Sequence, residues 1–344
     1  MYEIYTPGHG LVTDSLIMHG IVRLYDVSEV ERVGDRYRIV LNSSKPKKPV
    51  LSLLREELSI YFNNRDAISR SSVLGKVIDA NVNIAVTHNW MSYLREAVDR
   101  ANFDLTKVYT PDHKEITREG RSKSKSLYTL YLPLSFIHGK FYQSDYSVEE
   151  MEYRVCGTCF ALANVGLVYG TVVFRYDSEN KSTATMLTVI PADIMGREDL
   201  LLAQRFARGP AIRLKTDLTP KAAILYAFSV GEILFTTKAN PLVLAWKIVN
   251  DHVSLRSVGS ELFELNSILK KIARVKFEYP AFPRLIIDLA ASNEGTAVLN
   301  ELADVILMGS DPHPVLREIT VLTGKGLLSQ SVVGGLDGLV KALE

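Results

Sequence analysis

The spacing of apolar positions along the chain divides it into segments of different period. "TDSLIMHGIVRLY" places Leu16, Ile17, Ile21 and Leu24 on one stripe, which predicts a helix with Thr13 or Asp14 as its cap. "RYRIVLN" alternates and predicts a strand. "SSKPKKPV" holds two prolines and three lysines and predicts an exposed connection. "THNWMSYLREAVDRANF" sets Met91, Leu94, Val98 and Ala101 on one face, the pattern of an amphipathic helix.

Further along, Ser147 and Glu150 have capping-box spacing. They predict a helix that starts there and runs into "VCGTCFALANVGLVYGTVVF", a stretch without charge between Arg154 and Arg175. That stretch is long enough to span a bilayer. Its glycines, Asn164 and threonines, and its β-branched end, instead predict a buried helix followed by a buried strand. "GTVVFRYDSENKSTATMLTVI" then reads as two antiparallel strands around an Asp-Ser-Glu-Asn turn.

After Ile194 the pattern predicts successive helices. Asn240 before Pro241, and Asp311 before Pro312, read as caps with proline at the helix start. Leu262, Leu265, Ile268, Leu269 and Ile272 form one stripe, and Leu302, Val305 and Ile306 another. Gly309 and Gly324 sit where helices should stop. The predicted architecture is α+β: a mixed N-terminal body with antiparallel strands over residues 1–196, used for nucleic-acid and partner contact, and a C-terminal helical bundle over 197–344.

Composition narrows the class. At 344 residues the chain is long enough for two domains. Its formal net charge of +1 confines any anion-binding surface to local patches. Two cysteines cannot build a disulfide framework, and the opening "MYEIYTPGHG" lacks the basic, apolar pattern of a signal peptide, so a cytoplasmic location is expected.

Cys156 and Cys159 form "CGTC", the spacing of a redox pair. A helix starting at Ser147 would place both thiols deep in an apolar helix, where the thiolate is disfavoured, and so predicts an inert, packed pair. A zinc site needs two more ligands, and the seven histidines stand scattered, His9 in "PGHG" and His113 near a loop start among them. No Walker loop, Rossmann fingerprint or nucleophile elbow is present. No cofactor and no enzymatic activity are therefore expected.

The remaining candidate chemistry is basic. Arg118, Arg121, Lys123 and Lys125 alternate with small residues in "HKEITREGRSKSKS", beside the strand-like "LYTLYLPL". Lys45, Lys47 and Lys48 form a second cluster, and Arg205, Arg208, Arg213 and Lys215 a third. Such groups hold phosphate oxygens irrespective of base sequence. Asn63, Asn64 and Arg65 are types that read base edges. Tyr128 and Tyr131 are candidates for stacking on bases, although a strand tyrosine commonly belongs to a core or sheet face.

The order of these elements resembles the Csa-type large subunit of archaeal type I-A CRISPR surveillance complexes. The likeness is carried by the opening strand and turn leading into "TDSLIMHGIVRLY", by "CGTCFALANVGLVYG" followed by a hairpin, and by the helical C-terminal half. The resemblance implies a non-catalytic subunit that helps recognise the motif flanking the target and stabilises opened DNA. It implies partners as well: backbone-forming, RNA-end-capping and small helical subunits, a recruited helicase and nuclease, guide RNA and target DNA, and no membrane. Two other classes fit the residues. One is a scaffold that binds only proteins, and the other is a thiol oxidoreductase using the CGTC pair.

Overall fold

The computed structural model describes residues 1–47, 49–50, 96–110, 113, 127–130, 142–144, 147–149, 153–179, 181–207, 212–236, 238–250 and 255–343. The architecture is mixed α+β, with two sheets of antiparallel character and a run of helices at the C-terminal end.

The first sheet joins β1 (Tyr2–Tyr5), β2 (Val27–Val33), β3 (Arg36–Leu41) and β10 (Ile194–Gly196) in the order β1-β3-β2-β10. The strand predicted from "RYRIVLN" is β3, antiparallel to both neighbours. Helix α1 (Leu11–Leu24) follows β1 and buries nearly its whole circumference, including Thr13, Asp14, Ser15 and His19. Its N-cap is Gly10, so Thr13 and Asp14 lie inside the helix and do not cap it. Short α2 (Leu105–Val108) comes next among the described elements, and residues 96–100 before it are helical.

The expected helix start at Ser147 is not observed. Residues Ser147–Glu149 form β6, paired antiparallel with β5 (Tyr142–Ser144). A capping box is a local preference, and cross-strand pairing overrides it here. Next, β7 (Tyr153–Cys156) pairs with β4 (Leu127–Leu130), and the uncharged helix α3 (Gly157–Gly170) begins only after it. The helix-then-strand reading of the uncharged stretch holds: α3 leads directly into β8 (Thr171–Asp177). Among the described residues no helix is long and apolar enough to cross a membrane.

The predicted hairpin is β8 with β9 (Ser182–Pro191). It is the heart of a five-stranded sheet, β11-β8-β9-β12-β13, completed by β11 (Ile212–Leu214), β12 (Pro241–Asn250) and β13 (Leu255–Glu264). Helices α4 (Arg197–Ala207) and α5 (Pro220–Val230) lie between these strands in the chain. Residues 241–250 and 255–264 were expected to be helical and are strands. Pro241 opens β12 at its first position, where a missing N–H is tolerated. The sheet crosses the expected boundary at residues 196/197, because it draws strands from both sides.

This sheet separates two hydrophobic cores. From β12, Leu244, Trp246 and Ile248 enter the first core, while Val243 and Ala245 enter the second. From β9, Ala184, Met186 and Ile190 face the first core, and Leu187 and Val189 the second. The first core is filled by α1, α3 and the four-stranded sheet. The second is filled by α5 and by α6 (Leu265–Glu278), α7 (Phe282–Ala290), α8 (Asn293–Met308), α9 (His313–Gly324), α10 (Gln330–Val333) and α11 (Leu336–Leu343). Continuous helix therefore begins at Leu265. Within the predicted stripe, Leu265, Ile268 and Ile272 are buried, whereas Leu262 stands exposed on β13. Gly309 caps α8 in the left-handed conformation, and Leu302, Val305 and Ile306 are buried on it, both as expected.

Against the first core, α1 and α3 approach backbone to backbone. A Cβ placed on Gly166 would meet the Leu16 carbonyl, and one on Gly20 would meet the Leu162 carbonyl. Gly166 and Gly170, one turn apart, are what let α3 come this close.

Candidate functional site

The residues with distinctive chemistry meet where β1, α3 and the segment after α2 converge. The loop Thr6–Gly10 joins β1 to α1. It is stitched to β3 by Thr6 N donating to the Tyr37 carbonyl and Tyr37 N donating to Thr6 Oγ1, both at 2.9 Å. Gly8 and Gly10 flank His9 with φ of 89° and 95°, a region that side-chain-bearing residues rarely adopt. The Arg36 guanidinium also packs against Gly8, where a Cβ would collide with it. This double turn leaves the His9 side chain buried, at 2% exposure. Burial pushes its imidazole down to about 3, so His9 is neutral.

The cysteines come from the other side. Leu127 of β4 pairs with Cys156 at the end of β7, and the chain turns there into α3. Cys156 is the N-cap of α3, and its Sγ accepts a hydrogen bond from Cys159 N at 3.4 Å. The pair thus occupies the helix N-terminus rather than the helix interior, and the reason for expecting an inert pair is removed. The Cys156 thiol is pushed down to about 4, first by the hydrogen bond from the Cys159 side chain and then by His113 and the Cys159 backbone N–H. Cys159 is fully buried, and burial pushes its thiol well up. The two thiols are thus shifted in opposite directions, Cys156 down and Cys159 up.

His113 lies between the two. Its Nε2 is 3.4 Å from Cys159 Sγ and 3.8 Å from Cys156 Sγ. Its ring stands edge-on to Tyr109, with centroids 5.4 Å apart, and to His9, with centroids 6.3 Å apart. Ligand-capable atoms of His9, His113 and Cys159 all lie within 4.8 Å of one another. The buried Asp14 carboxyl sits behind the cluster near the backbone N–H groups of Gly8 and His9, and burial raises it to about 8. Two thiols and two imidazoles are thereby gathered from three chain segments. The CxxC spacing and the glycines of "PGHG" were visible in the sequence, but their convergence was not.

The basic candidates are more dispersed. Lys45 and Lys47 emerge exposed after β3, and Lys47 forms an ion pair with Asp26 at 3.1 Å. Asp26 also accepts from Arg197 at 2.8 Å. Arg205 is exposed on α4, which packs against β8. Arg213 is exposed on the edge strand β11, in register with Arg175 of β8, and Lys215 is exposed just beyond it. Arg213 and Lys215 thus belong to one edge of the five-stranded sheet, Arg205 to α4, and Lys45 and Lys47 to the four-stranded sheet. Lys48, Asn63, Asn64, Arg65, Arg118, Arg121, Lys123, Lys125, Arg208 and Tyr131 lie outside the described residues. Tyr128 is a core residue, 3% exposed, with its ring 5.4 Å from that of Phe160. It does not present a face for stacking on a base.

Comparison with known proteins adds a separate line of information. The family model described as CRISPR-associated protein (Cas_Csa4) matches residues 2–330. A protein of Thermoproteus tenax described as CRISPR system associated protein Cas8 is 31% identical over 367 residues, covering 99% of this chain and 98% of that relative.

Proposed function

Because the chain belongs to the Csa4 family of CRISPR-associated proteins, we propose that it serves as the non-catalytic large subunit of a type I-A RNA-guided surveillance complex. In this role it helps recognise the motif beside the target and holds the opened DNA. The observation that carries the reading is the extent of the family match. Residues 2–330 include both sheets and most of both cores, so the likeness belongs to the whole fold and not to one module. The partners that follow are the backbone-forming, RNA-end-capping and small helical subunits, the helicase and nuclease recruited to the complex, guide RNA and target DNA.

In such assemblies base pairing with the guide reads the sequence, while protein reads the flanking duplex and the charge of the backbone. The exposed cations Lys45, Arg205, Arg213 and Lys215 supply sequence-independent phosphate contacts in this reading. The test is a binding titration of the reconstituted complex at several salt concentrations, with these four residues replaced by alanine. Each lost contact should flatten the slope of log affinity against log salt by about 0.9 on duplex DNA, with little change in flank preference. Wild-type affinity and slope in the fourfold variant would remove these residues from the DNA. Absence of nucleic acid and of CRISPR subunits from the natively purified complex would overturn the large-subunit reading itself.

A further inference from the structure

The geometry points to a structural zinc site formed by His9, His113, Cys156 and Cys159. It is independent of the basic residues considered above. Two sulfurs and two imidazole nitrogens form a donor set that suits tetrahedral zinc. Bonds of about 2.3 Å to sulfur and about 2.0 Å to nitrogen, at the tetrahedral angle, separate a sulfur from a nitrogen by roughly 3.5 Å. The His113 Nε2 distances to Cys159 Sγ and Cys156 Sγ, 3.4 and 3.8 Å, bracket that value. His9, from the β1–α1 loop, stands within 4.8 Å of His113 and Cys159, and Cys156 joins this group through its approach to His113.

Charge balance supports the same ion. Two thiolates and one divalent cation sum to zero, which a buried site requires. Each cysteine releases its proton to solvent when its sulfur coordinates. A redox role leaves part of the surroundings unexplained. Cys156 is half-buried with Cys159 buried behind it, an arrangement disulfide exchange can use, but exchange gives no part to two histidines brought in from separate loops.

The site fastens three segments: the loop before α1, the segment after α2, and the N-terminus of α3. It also fixes both attachment points of the basic stretch 114–126. His113 immediately precedes that stretch, and Leu127 immediately follows it, paired with Cys156.

The experiment uses the full chain, purified without a polyhistidine tag under reducing conditions, and measures bound metal by elemental analysis. About one zinc per chain is expected. Cys156→Ser and His113→Asn should each lose most of it, and His313→Asn, an exposed histidine, should keep it. A chelator should lower the melting temperature of the wild type but not of Cys156→Ser. Because a ligand variant can fail to fold, cobalt(II) is also added to the metal-stripped wild type. Thiolate-to-cobalt charge transfer with the intense visible bands of tetrahedral cobalt is the supporting result. A wild type that carries no zinc and gives no such spectrum overturns the site. A Cys156–Cys159 disulfide as the main species in anaerobically prepared protein overturns it equally.

Discussion

Gly166→Ala is the sharpest test of how the first core is built. A Cβ at this position would lie 2.5 Å from the Leu16 carbonyl carbon and 2.8 Å from its Cα. Ordinary carbon–carbon contact is about 3.5–4.0 Å, so α1 and α3 must separate by about 1 Å or more. The obstacle is backbone, which cannot swing aside as a side chain does. Sliding along the contact is blocked too, because Gly20 meets Leu162 and Gly170 meets the His19 ring within similarly short distances. A gap of that size forfeits a quarter to a half of each dispersion contact along the interface. Overpacking of this kind costs about 1–3 kcal/mol and sometimes more. Because the obstacle is backbone the upper end, about 3 kcal/mol, applies; alanine regains about 1 kcal/mol of helix propensity, so a net loss of about 2 kcal/mol is expected. Gly324→Ala isolates the propensity component, since Gly324 ends α9 exposed, with nothing near a Cβ. It should be neutral or stabilising by up to about 1 kcal/mol. Urea unfolding, followed by circular dichroism and by intrinsic tryptophan fluorescence, to which Trp246 in the same core contributes, measures both variants. If Gly166→Ala unfolds within about 0.5 kcal/mol of wild type, the backbone-to-backbone contact is refuted.

His19 gives a pH test. It is fully buried, its Nε2 donates to the Val189 carbonyl at 2.8 Å, and burial lowers it to about 4. The unfolded chain binds this proton near pH 6.5 and the folded chain does not. The His19 contribution is therefore complete above pH 6.5 and is lost as pH falls towards 4, by about 3 kcal/mol in all. His19→Asn should show a correspondingly shallower loss of stability over that window in parallel denaturation curves, and identical curves would count against the assignment. Asp199→Ala should cost about 1–3 kcal/mol by thermal unfolding, because its carboxylate accepts from both Thr236 N (2.9 Å) and Thr236 Oγ1 (2.8 Å). Tyr279→Phe should cost about 1 kcal/mol in the same assay, since it strips the Val332 carbonyl of its 2.8 Å partner in the second core.

Much of the local structure was written in local pattern. Strand β3 alternates, the β8–β9 hairpin carries its turn residues, and the left-handed stop at Gly309 needs only its own glycine. These features depend on a few neighbouring residues, so a single sequence displays them. Helix α3 was legible as an apolar element, but its start was not. The Ser147 and Glu150 spacing satisfies a cap, and only pairing with Tyr142–Ser144 made that segment a strand. That shift moved Cys156 from a helix interior to a helix N-cap and reversed what its chemistry implies. Strand β12 failed for a different reason. Its side chains are buried on both faces, one face in each core, so its period-two signal is hidden in a continuous apolar run. Which residues line the Cys–His cluster was likewise beyond the sequence. His9, His113 and the CxxC pair are distant in the chain, and nothing in their spacing requires them to meet. Their meeting depends on the turn through Gly8 and Gly10, the β4–β7 pairing and the close passage of α1 over α3, which are contacts between segments and exist only once the chain has folded.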